Sequence, residues 1–213
     1  MTSVEAGSVS GPAFIAPGLP DDAQLWIVRH GETEWSASGQ HTSITDLPLT
    51  EAGEKQAAAL RSLLADVHPV LVLSSPRKRA VDTARLAGLE VDEVTEDLAE
   101  WYYGEYEGRT TAEIRAEVPN WSIWTHGAPD GETAAQIEAR ADRVLTRAAE
   151  RLPEGSVVLV GHGHFSRALG ARWIELPVSG GAHLLLGTAA PSILGAQYGA
   201  SVIVRWNLPN PAV

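Results

Sequence analysis

Residues 25–32 read Leu-Trp-Ile-Val-Arg-His-Gly-Glu, and this stretch decides the fold. The run from Gln24 to Val28 is almost entirely apolar, which is typical of a central parallel strand that helices cover on both faces. Arg29 and His30 follow the strand directly, and Gly31 permits a tight turn. The stretch therefore predicts a sheet edge at which a cation and an imidazole lie together.

A second strand of the same kind lies in the last third of the chain. The apolar run Val157 to Val160 is followed by Gly161-His162-Gly163-His164. Ligands of parallel sheets bind beyond the carboxyl ends of the strands, where the winding reverses. If the two strands are neighbours, His30 and His162 meet at one edge.

Helical patterns alternate with strands along most of the chain. Helices are predicted to begin at Thr50 and after Ser74-Ser75-Pro76, and a long one runs from Thr133 to Arg151. A weaker strand is expected over Leu89 to Val94, and Ala182 to Asn207 contains three short β-like runs.

This order of elements indicates an α/β fold. We expect a three-layer sandwich with a mostly parallel central sheet, helices on both faces and an antiparallel edge near the C-terminus. Residues 1–22 are small, polar and rich in Gly and Pro, so a flexible N-terminal segment is predicted before a single domain over residues 23–213.

Composition excludes several classes of function. The chain has 213 residues and a net charge of -11, which disfavours non-specific binding to nucleic acid or to an anionic membrane. It has no cysteine, which excludes disulfides, thiolate metal sites and cysteine nucleophiles. No apolar stretch approaches a membrane span, and the N-terminus does not resemble a secretory signal. A cytoplasmic enzyme with no nucleic-acid or membrane partner is expected.

Four motifs in this order resemble the signatures of the histidine phosphatase (phosphoglycerate mutase-like) superfamily. The resemblance covers about residues 24–207, and the motifs are Arg29-His30-Gly31, Ser74-Ser75-Pro76-Arg77-Lys78-Arg79-Ala80, Leu98-Ala99-Glu100-Trp101-Tyr102-Tyr103-Gly104 and Gly161-His162-Gly163. One such motif alone would be weak support, but the four together are specific.

The resemblance implies a role for each of five catalytic residues. His30 is the nucleophile that becomes phosphorylated, and Glu100 is the acid that protonates the leaving group. Arg29, Arg79 and His162 bind the phosphoryl oxygens. Physical chemistry agrees with these roles, because neutral imidazole is nucleophilic and fixed cations stabilise the charge of a phosphoryl group in transfer.

Each of these residues also has a plainer interpretation. Arg79 has basic neighbours and could be a solvated surface residue, and Glu100 lies in an acidic stretch. The aromatic residues that follow Glu100 are expected to shield it from water. The pair His162 and His164 invites a zinc site, but no further ligand lies at a suitable spacing, so we expect neither a metal nor another cofactor.

Substrate contacts follow from the resemblance with less detail. Ser36 stands where much of the superfamily has asparagine, and Trp101 stands where mutases have an arginine that grips the substrate carboxylate. The predicted substrate-binding residues are Ser36, Gln40, Thr42, Trp101, Gly163 and His164.

The expected function is a metal-independent acid phosphatase that hydrolyses small phosphorylated metabolites, with sugar phosphates among the candidates. Several patches resemble the subgroup of bacterial acid phosphatases and sedoheptulose-bisphosphatases, among them Gly39-Gln40-His41-Thr42 and His162-Gly163-His164. A cofactor-dependent phosphoglycerate mutase and a catalytically silent phosphate-binding protein are the alternatives. The β-like runs near the C-terminus could supply the edge of a homodimer.

Overall fold

The computed structural model describes Phe14 and residues 18–212. A six-stranded sheet forms the centre, and helices flank it. In chain order the strands and α-helices are β1 (Leu25–Arg29), α1 (Glu34–Ser38), α2 (Glu51–Leu63), β2 (Pro69–Ser74), α3 (Lys78–Leu86), β3 (Glu93–Val94), α4 (Thr111–Glu117), α5 (Ile123–His126), α6 (Ala134–Arg151), β4 (Ser156–Gly161), α7 (Gly163–Trp173), β5 (Pro191–Gln197) and β6 (Ala200–Arg205).

The strand order β3-β2-β4-β1-β5-β6 confirms the predicted sheet. β1, β2, β3 and β4 pair in parallel, whereas β5 and β6 pair antiparallel at one end. The register of β1 and β4 places Arg29 opposite Gly161. The two histidines that follow these strands therefore leave the sheet side by side.

The two faces of the sheet bury different helices because side chains alternate along a strand. Leu25 and Ile27 of β1 share one buried cluster with α6 and α7. Trp26 and Val28 point to the other face and share a second cluster with α2 and α3. This alternation explains why the first strand reads as a continuous apolar run.

Helix starts follow the predicted capping residues. The side chains of Thr50, Thr110 and Thr133 accept backbone N–H groups at the starts of α2, α4 and α6. The helix predicted after Ser74-Ser75-Pro76 begins at Lys78.

Two predicted strand regions are shorter than expected. The weak strand over residues 89–94 is reduced to Glu93–Val94, which pairs with the end of β2. The first of the three β-like runs is no strand, because a 3₁₀ helix covers Val178–His183 and strand structure resumes only at Pro191. A hairpin at Tyr198-Gly199 joins β5 and β6, which are the other two β-like runs.

Part of the predicted N-terminal segment is described, and that part packs on the domain. Phe14 and Leu19 are buried, and the Phe14 ring stacks on Trp173 with 5.6 Å between centroids. At these two positions the segment is docked rather than flexible, because large apolar side chains gain free energy by leaving water. The remainder of residues 1–17 lies outside the described residues.

The loop after β1 touches the start of α2 backbone to backbone. A Cβ atom added to Gly31 would overlap the carbonyl oxygen of Gly53, and one added to Gly53 would overlap that of Glu32. Only glycine permits this approach. The contact fixes the position of the segment that carries His30.

Candidate active site

His30 is held with one ring nitrogen satisfied. Its Nδ1 lies 2.7 Å from the carbonyl oxygen of Gly31, and this oxygen can only accept a hydrogen bond, so Nδ1 carries the proton. Burial, and then the nearby Arg79 and Arg29, hold the pKa of His30 well below its ordinary value of 6.5. The neutral ring therefore has its lone pair on Nε2, the form that a nucleophile requires.

His162 lies next to His30, with 5.2 Å between the ring centroids and 65° between the planes. Its Nδ1 accepts a hydrogen bond from Nε of Arg79 at 3.3 Å, and its Nε2 lies 2.7 Å from Oγ of Ser75. Burial and the neighbouring cations hold the pKa of His162 well below 6.5. Both of its nitrogens are therefore engaged in a fixed tautomer that donates from Nε2.

Arg79 is completely buried in the first turns of α3. Its terminal nitrogens donate to the carbonyl oxygens of Thr45 at 2.9 Å, Ser43 at 3.1 Å and Thr42 at 3.3 Å. Burial lowers the pKa of Arg79, and the charge of Glu100 opposes that shift. The plainer interpretation of Arg79 as a solvated surface residue is therefore excluded.

Glu107 fixes the loop to which Arg79 donates. Its carboxylate accepts the backbone N–H of Ser43 at 2.9 Å and that of Thr45 at 3.0 Å. The hydroxyl of Ser43 also donates to it. Glu107 thus orients the carbonyl groups that hold the guanidinium in place.

Arg29 has a donor without a partner. One terminal nitrogen donates to the carbonyl oxygen of Leu186 at 2.6 Å. Its Nε is buried and has no hydrogen-bond partner in the described part of the chain. Buried N–H groups without a partner are rare in proteins, so this one indicates a place for an oxyanion.

Glu100 reaches the N-terminus of α7 through its carboxylate. Oε1 accepts the backbone N–H of Trp101 and of Phe165, both at 2.8 Å, and Oε2 accepts that of His164 at 2.9 Å. The side chain is buried, and the helix dipole favours a carboxylate at this end. These bonds place the carboxyl group at the same cavity as His30.

A cavity of about 160 Å³ joins most of the predicted site residues. Arg29, His30 and Glu100 line it, as do five of the predicted substrate contacts, namely Ser36, Gln40, Thr42, Gly163 and His164. Arg79 and His162 are buried beside His30 and do not form its surface.

Trp101 is the predicted contact that the structure places elsewhere. Its ring is completely buried in the core, at 5.5 Å from the ring of Trp124, and its Nε1 donates to the carbonyl oxygen of Glu132 at 2.8 Å. It does not line the cavity. Trp101 therefore stabilises the core. The prediction that it contacts the substrate directly is wrong.

Five further residues line the cavity without having been predicted as substrate contacts: Gly39, His41, Tyr103, Arg167 and Leu186. His41 had a signal in the sequence, because it lies in the loop with Gln40 and Thr42. Tyr103 belongs to the aromatic run after Glu100. Arg167 has no motif of its own, and its position follows only from the helical rise after His164.

The arrangement brings a neutral nucleophilic imidazole, two guanidinium groups and a carboxyl group to one cavity. Such a set can bind a tetrahedral dianion, attack its central atom and exchange a proton with the departing group. No group of three His, Asp or Glu side chains that could hold a metal ion occurs among Phe14 and residues 18–212. Within the same residues, none of the helices has the length and apolar character that crossing a membrane requires.

Comparisons with known proteins agree with this site. The model of the histidine phosphatase superfamily (branch 1) matches residues 25–209. An acid phosphatase of Mycobacterium tuberculosis is 47% identical over 178 residues, which cover 83% of this chain and 88% of the relative. A sedoheptulose 1,7-bisphosphatase of Saccharomyces cerevisiae is 36% identical over 184 residues, or 71% of this chain and 68% of the relative.

A solved structure agrees in the fold as well. The product of an open reading frame of Mycobacterium tuberculosis superposes with a TM-score of 0.86 at 44% identity, over 89% of this chain and 99% of that one. These findings confirm the resemblance that the four motifs indicated, and the chain belongs to the histidine phosphatase superfamily.

Proposed function

We propose that this phosphatase hydrolyses phosphomonoesters of small metabolites through a phosphohistidine on His30. The observation that carries the proposal is the state of two neighbouring side chains. Nδ1 of His30 is bonded to the carbonyl oxygen of Gly31, and the buried Nε of Arg29 has no acceptor among the described residues. A phosphoryl group in the cavity would satisfy that donor and meet the free Nε2.

The first step transfers the phosphoryl group to the enzyme. Nε2 of His30 attacks phosphorus, the bond from phosphorus to the ester oxygen breaks, and the departing alkoxide takes the proton of the Glu100 carboxyl group. In the second step water attacks phosphorus, the phosphorus–nitrogen bond breaks, and Glu100 accepts the proton of that water. The products are an alcohol and inorganic phosphate, and both residues return to their initial state.

Glu100 has room for the proton that this mechanism needs. A carboxylate offers about four lone-pair positions, and three of them accept backbone N–H groups. One position remains, and the side chain lines the cavity. We infer that the leaving group receives its proton from this position.

Three groups stabilise the charge that the phosphoryl oxygens carry in the transition state. Arg29 and Arg79 supply fixed positive charge, and we infer that the N–H group of His162, which donates to Ser75 in this structure, turns to a phosphoryl oxygen when substrate binds. Their hydrogen bonds to carbonyl groups and to Ser75 hold them in place before substrate binds. Stabilisation by such preset donors costs little reorganisation during the reaction.

The names of relatives support small phosphorylated metabolites as substrates. The curated relatives include the acid phosphatase and the sedoheptulose 1,7-bisphosphatase described above, and a glucosyl-3-phosphoglycerate phosphatase of Mycobacterium tuberculosis that is 32% identical over 172 residues. Two of these names specify sugar-containing phosphates. We infer that sugar phosphates are among the substrates of this chain.

The test is hydrolysis of an aryl phosphate in excess chelator by the wild type, His30→Ala and His68→Ala. His68 is exposed and precedes the first residue of β2, at the opposite edge of the sheet, so it serves as the control. We expect activity in the wild type and the control, and none in His30→Ala. A requirement for metal, or equal activity in all three, would contradict the mechanism, and interconversion of the monophosphoglycerates would favour a mutase.

Three further properties are proposals of the same kind. Residues 23–213 are proposed to form one domain, and the protein is proposed to be cytoplasmic, which cell fractionation tests. β6 is the last strand of the sheet among the described residues, and this edge favours a homodimer because such an edge is a template for strand pairing. Light scattering on the purified protein measures that state.

A further inference from the structure

A second cavity lies beside the first, with a volume of about 260 Å³. His41 and His164 line both cavities, and the second one is also lined by Arg115, Trp121, Trp124 and Ala182. The first cavity is smaller than the roughly 300 Å³ at which ordinary ligand sites begin, whereas the two together fall in that range. A substrate much larger than phosphate therefore has to extend past the two histidines.

His164, which lines both cavities, has one ring nitrogen available to a ligand. Its Nδ1 lies 2.6 Å from the hydroxyl of Tyr103. Burial raises the pKa of Tyr103 and lowers that of His164 well below 6.5, so both groups are neutral and share one hydrogen bond. Nε2 of His164 has no hydrogen-bond partner among the residues that the structure describes, so it is available to a hydroxyl group, which can both donate and accept.

His41 lies opposite His164 where the two cavities meet, and the two ring centroids are 5.8 Å apart. Its Nε2 pairs with the hydroxyl of Thr111 at 3.3 Å. Burial lowers the pKa of His41 to about 4, so this ring is neutral as well. Neutral imidazoles suit hydroxyl groups, which both donate and accept hydrogen bonds.

Arg115 adds an available positive charge to the second cavity. In this acidic chain many guanidinium groups pair with a carboxylate, as those of Arg77, Arg109, Arg140, Arg143, Arg147 and Arg172 do. Arg115 has no such pair in the described residues. Its Nε donates to the carbonyl oxygen of Trp121 at 2.8 Å, which holds the head group at the wall and leaves both terminal nitrogens available.

We propose that the second cavity is a leaving-group subsite for the polyhydroxylated part of a sugar bisphosphate, whose distal phosphate binds Arg115. This inference rests on the proposed phosphatase function, since the reacting phosphate must lie at His30. The hydroxyl groups of the sugar bond to the two neutral histidines. The two tryptophans supply apolar wall for its C–H groups.

The experiment compares two substrates in excess chelator, a hexose 1,6-bisphosphate and acetyl phosphate, whose leaving group is too small to reach the second cavity. In Arg115→Met, kcat/KM for the bisphosphate falls about tenfold to a hundredfold, which is the usual range for a lost hydrogen bond to a charged group. The value for acetyl phosphate stays within about twofold. Arg205→Met is the matched control, because Arg205 is exposed on β6 and has no carboxylate partner in the described part.

A second variant fills the cavity without touching the charge. Ala182 is exposed and lines the second cavity, so Ala182→Phe adds bulk there while the core stays unchanged. We expect a higher KM for the bisphosphate and the same kcat/KM for acetyl phosphate.

Different results would contradict the subsite and the phosphatase function. Equal losses on both substrates in either variant, or no loss on the bisphosphate, would overturn the subsite. If the wild type hydrolyses neither substrate without metal, the proposed phosphatase function fails instead.

Discussion

The loops after β1 and β4 are similar in sequence and opposite in chemistry. Each carries a histidine before a glycine, and the two strands are paired in parallel. His30 has Nδ1 bonded to the adjacent carbonyl group, and its Nε2 has no hydrogen-bond partner in the described chain. His162 has both nitrogens engaged, by Arg79 and by Ser75.

This difference shows how neighbours assign roles to identical side chains. Burial and nearby cations keep both rings neutral, so charge does not distinguish them. The two rings differ in how many of their nitrogens already have a hydrogen-bond partner. A ring with a free lone pair can attack phosphorus, whereas a ring with both nitrogens engaged has no lone pair available for attack.

Replacement of His30, whose Nε2 is free, should have the largest effect on catalysis. His30→Ala is expected to lower kcat by at least about 10⁴-fold, because the assigned nucleophile is lost. Steady-state rates measure the loss, and mass spectrometry after an alkaline quench, in which phosphohistidine is stable, should find a phosphoenzyme in the wild type and none in this variant. Unfolding at the wild-type temperature serves as the control for folding, and a phosphoenzyme in this variant would contradict the assignment.

Removal of the fixed ring should cost less. His162→Ala is expected to lower kcat about 10²- to 10³-fold, the usual loss for one preset donor to a transition state. The phosphohistidine on His30 should still be trapped, at a slower rate. If the intermediate disappears as completely as in His30→Ala, the two histidines do not differ in the way that their hydrogen bonds indicate.

Replacement of Ser75, the hydrogen-bond partner of His162, should have a smaller effect on catalysis. Ser75→Ala removes the group that orients Nε2 of His162, and we expect kcat to fall about three- to tenfold with KM within twofold. Ser74→Ala is a suitable control, because Ser74 is also buried but its hydroxyl donates to the carbonyl oxygen of Ser75. Equal effects of the two variants would assign Ser75 to the fold alone.

The smallest change is expected in the pH profile of the wild type. The pKa values of His30 and His162 lie well below 6.5, so both rings stay neutral as the pH falls through 6.5. We expect kcat/KM to show no loss with a midpoint near 6.5, because the nucleophile keeps its lone pair there. Rates between pH 5 and 8 in buffers of constant ionic strength check this, and a midpoint at 6.5 would mean that His30 titrates as an exposed histidine.

Unlike the activity, the stability of the protein should change as the pH falls through 6.5. The unfolded chain takes up protons on these histidines below its pKa of about 6.5, whereas the folded chain does not until a lower pH. The free energy of unfolding is therefore greatest above pH 6.5 and falls as the pH is lowered. Thermal unfolding at pH 7 and pH 5 measures the difference.

The central part of the site was predictable because it depends on local patterns. A buried strand followed by Arg-His-Gly, and a second one followed by His-Gly, place two rings at one sheet edge when the two strands are neighbours, as β1 and β4 are. Arg79 and Glu100 followed from the family resemblance. Neither their hydrogen bonds nor the unpaired Nε of Arg29 could be derived, because these depend on how distant loops meet.

The outer part of the site was less predictable. Trp101 and Tyr103 lie two positions apart in an irregular segment, yet Trp101 packs in the core and Tyr103 lines the cavity. The sequence does not determine which side chain of an aromatic run points inward. Arg115 and Trp121 reach the second cavity only because α4 and the following loop pack beside His41.

The close contact between Gly31 and Gly53 limits where this enzyme can be changed. Even a methyl group at either position would force the loop and the helix apart, so a library that varies them would yield mostly inactive clones. Gly39, at the cavity wall, has open space around it and a φ of 81°, which Asn tolerates better than branched residues. Directed evolution toward new substrates therefore has latitude at residue 39 and almost none behind the nucleophile.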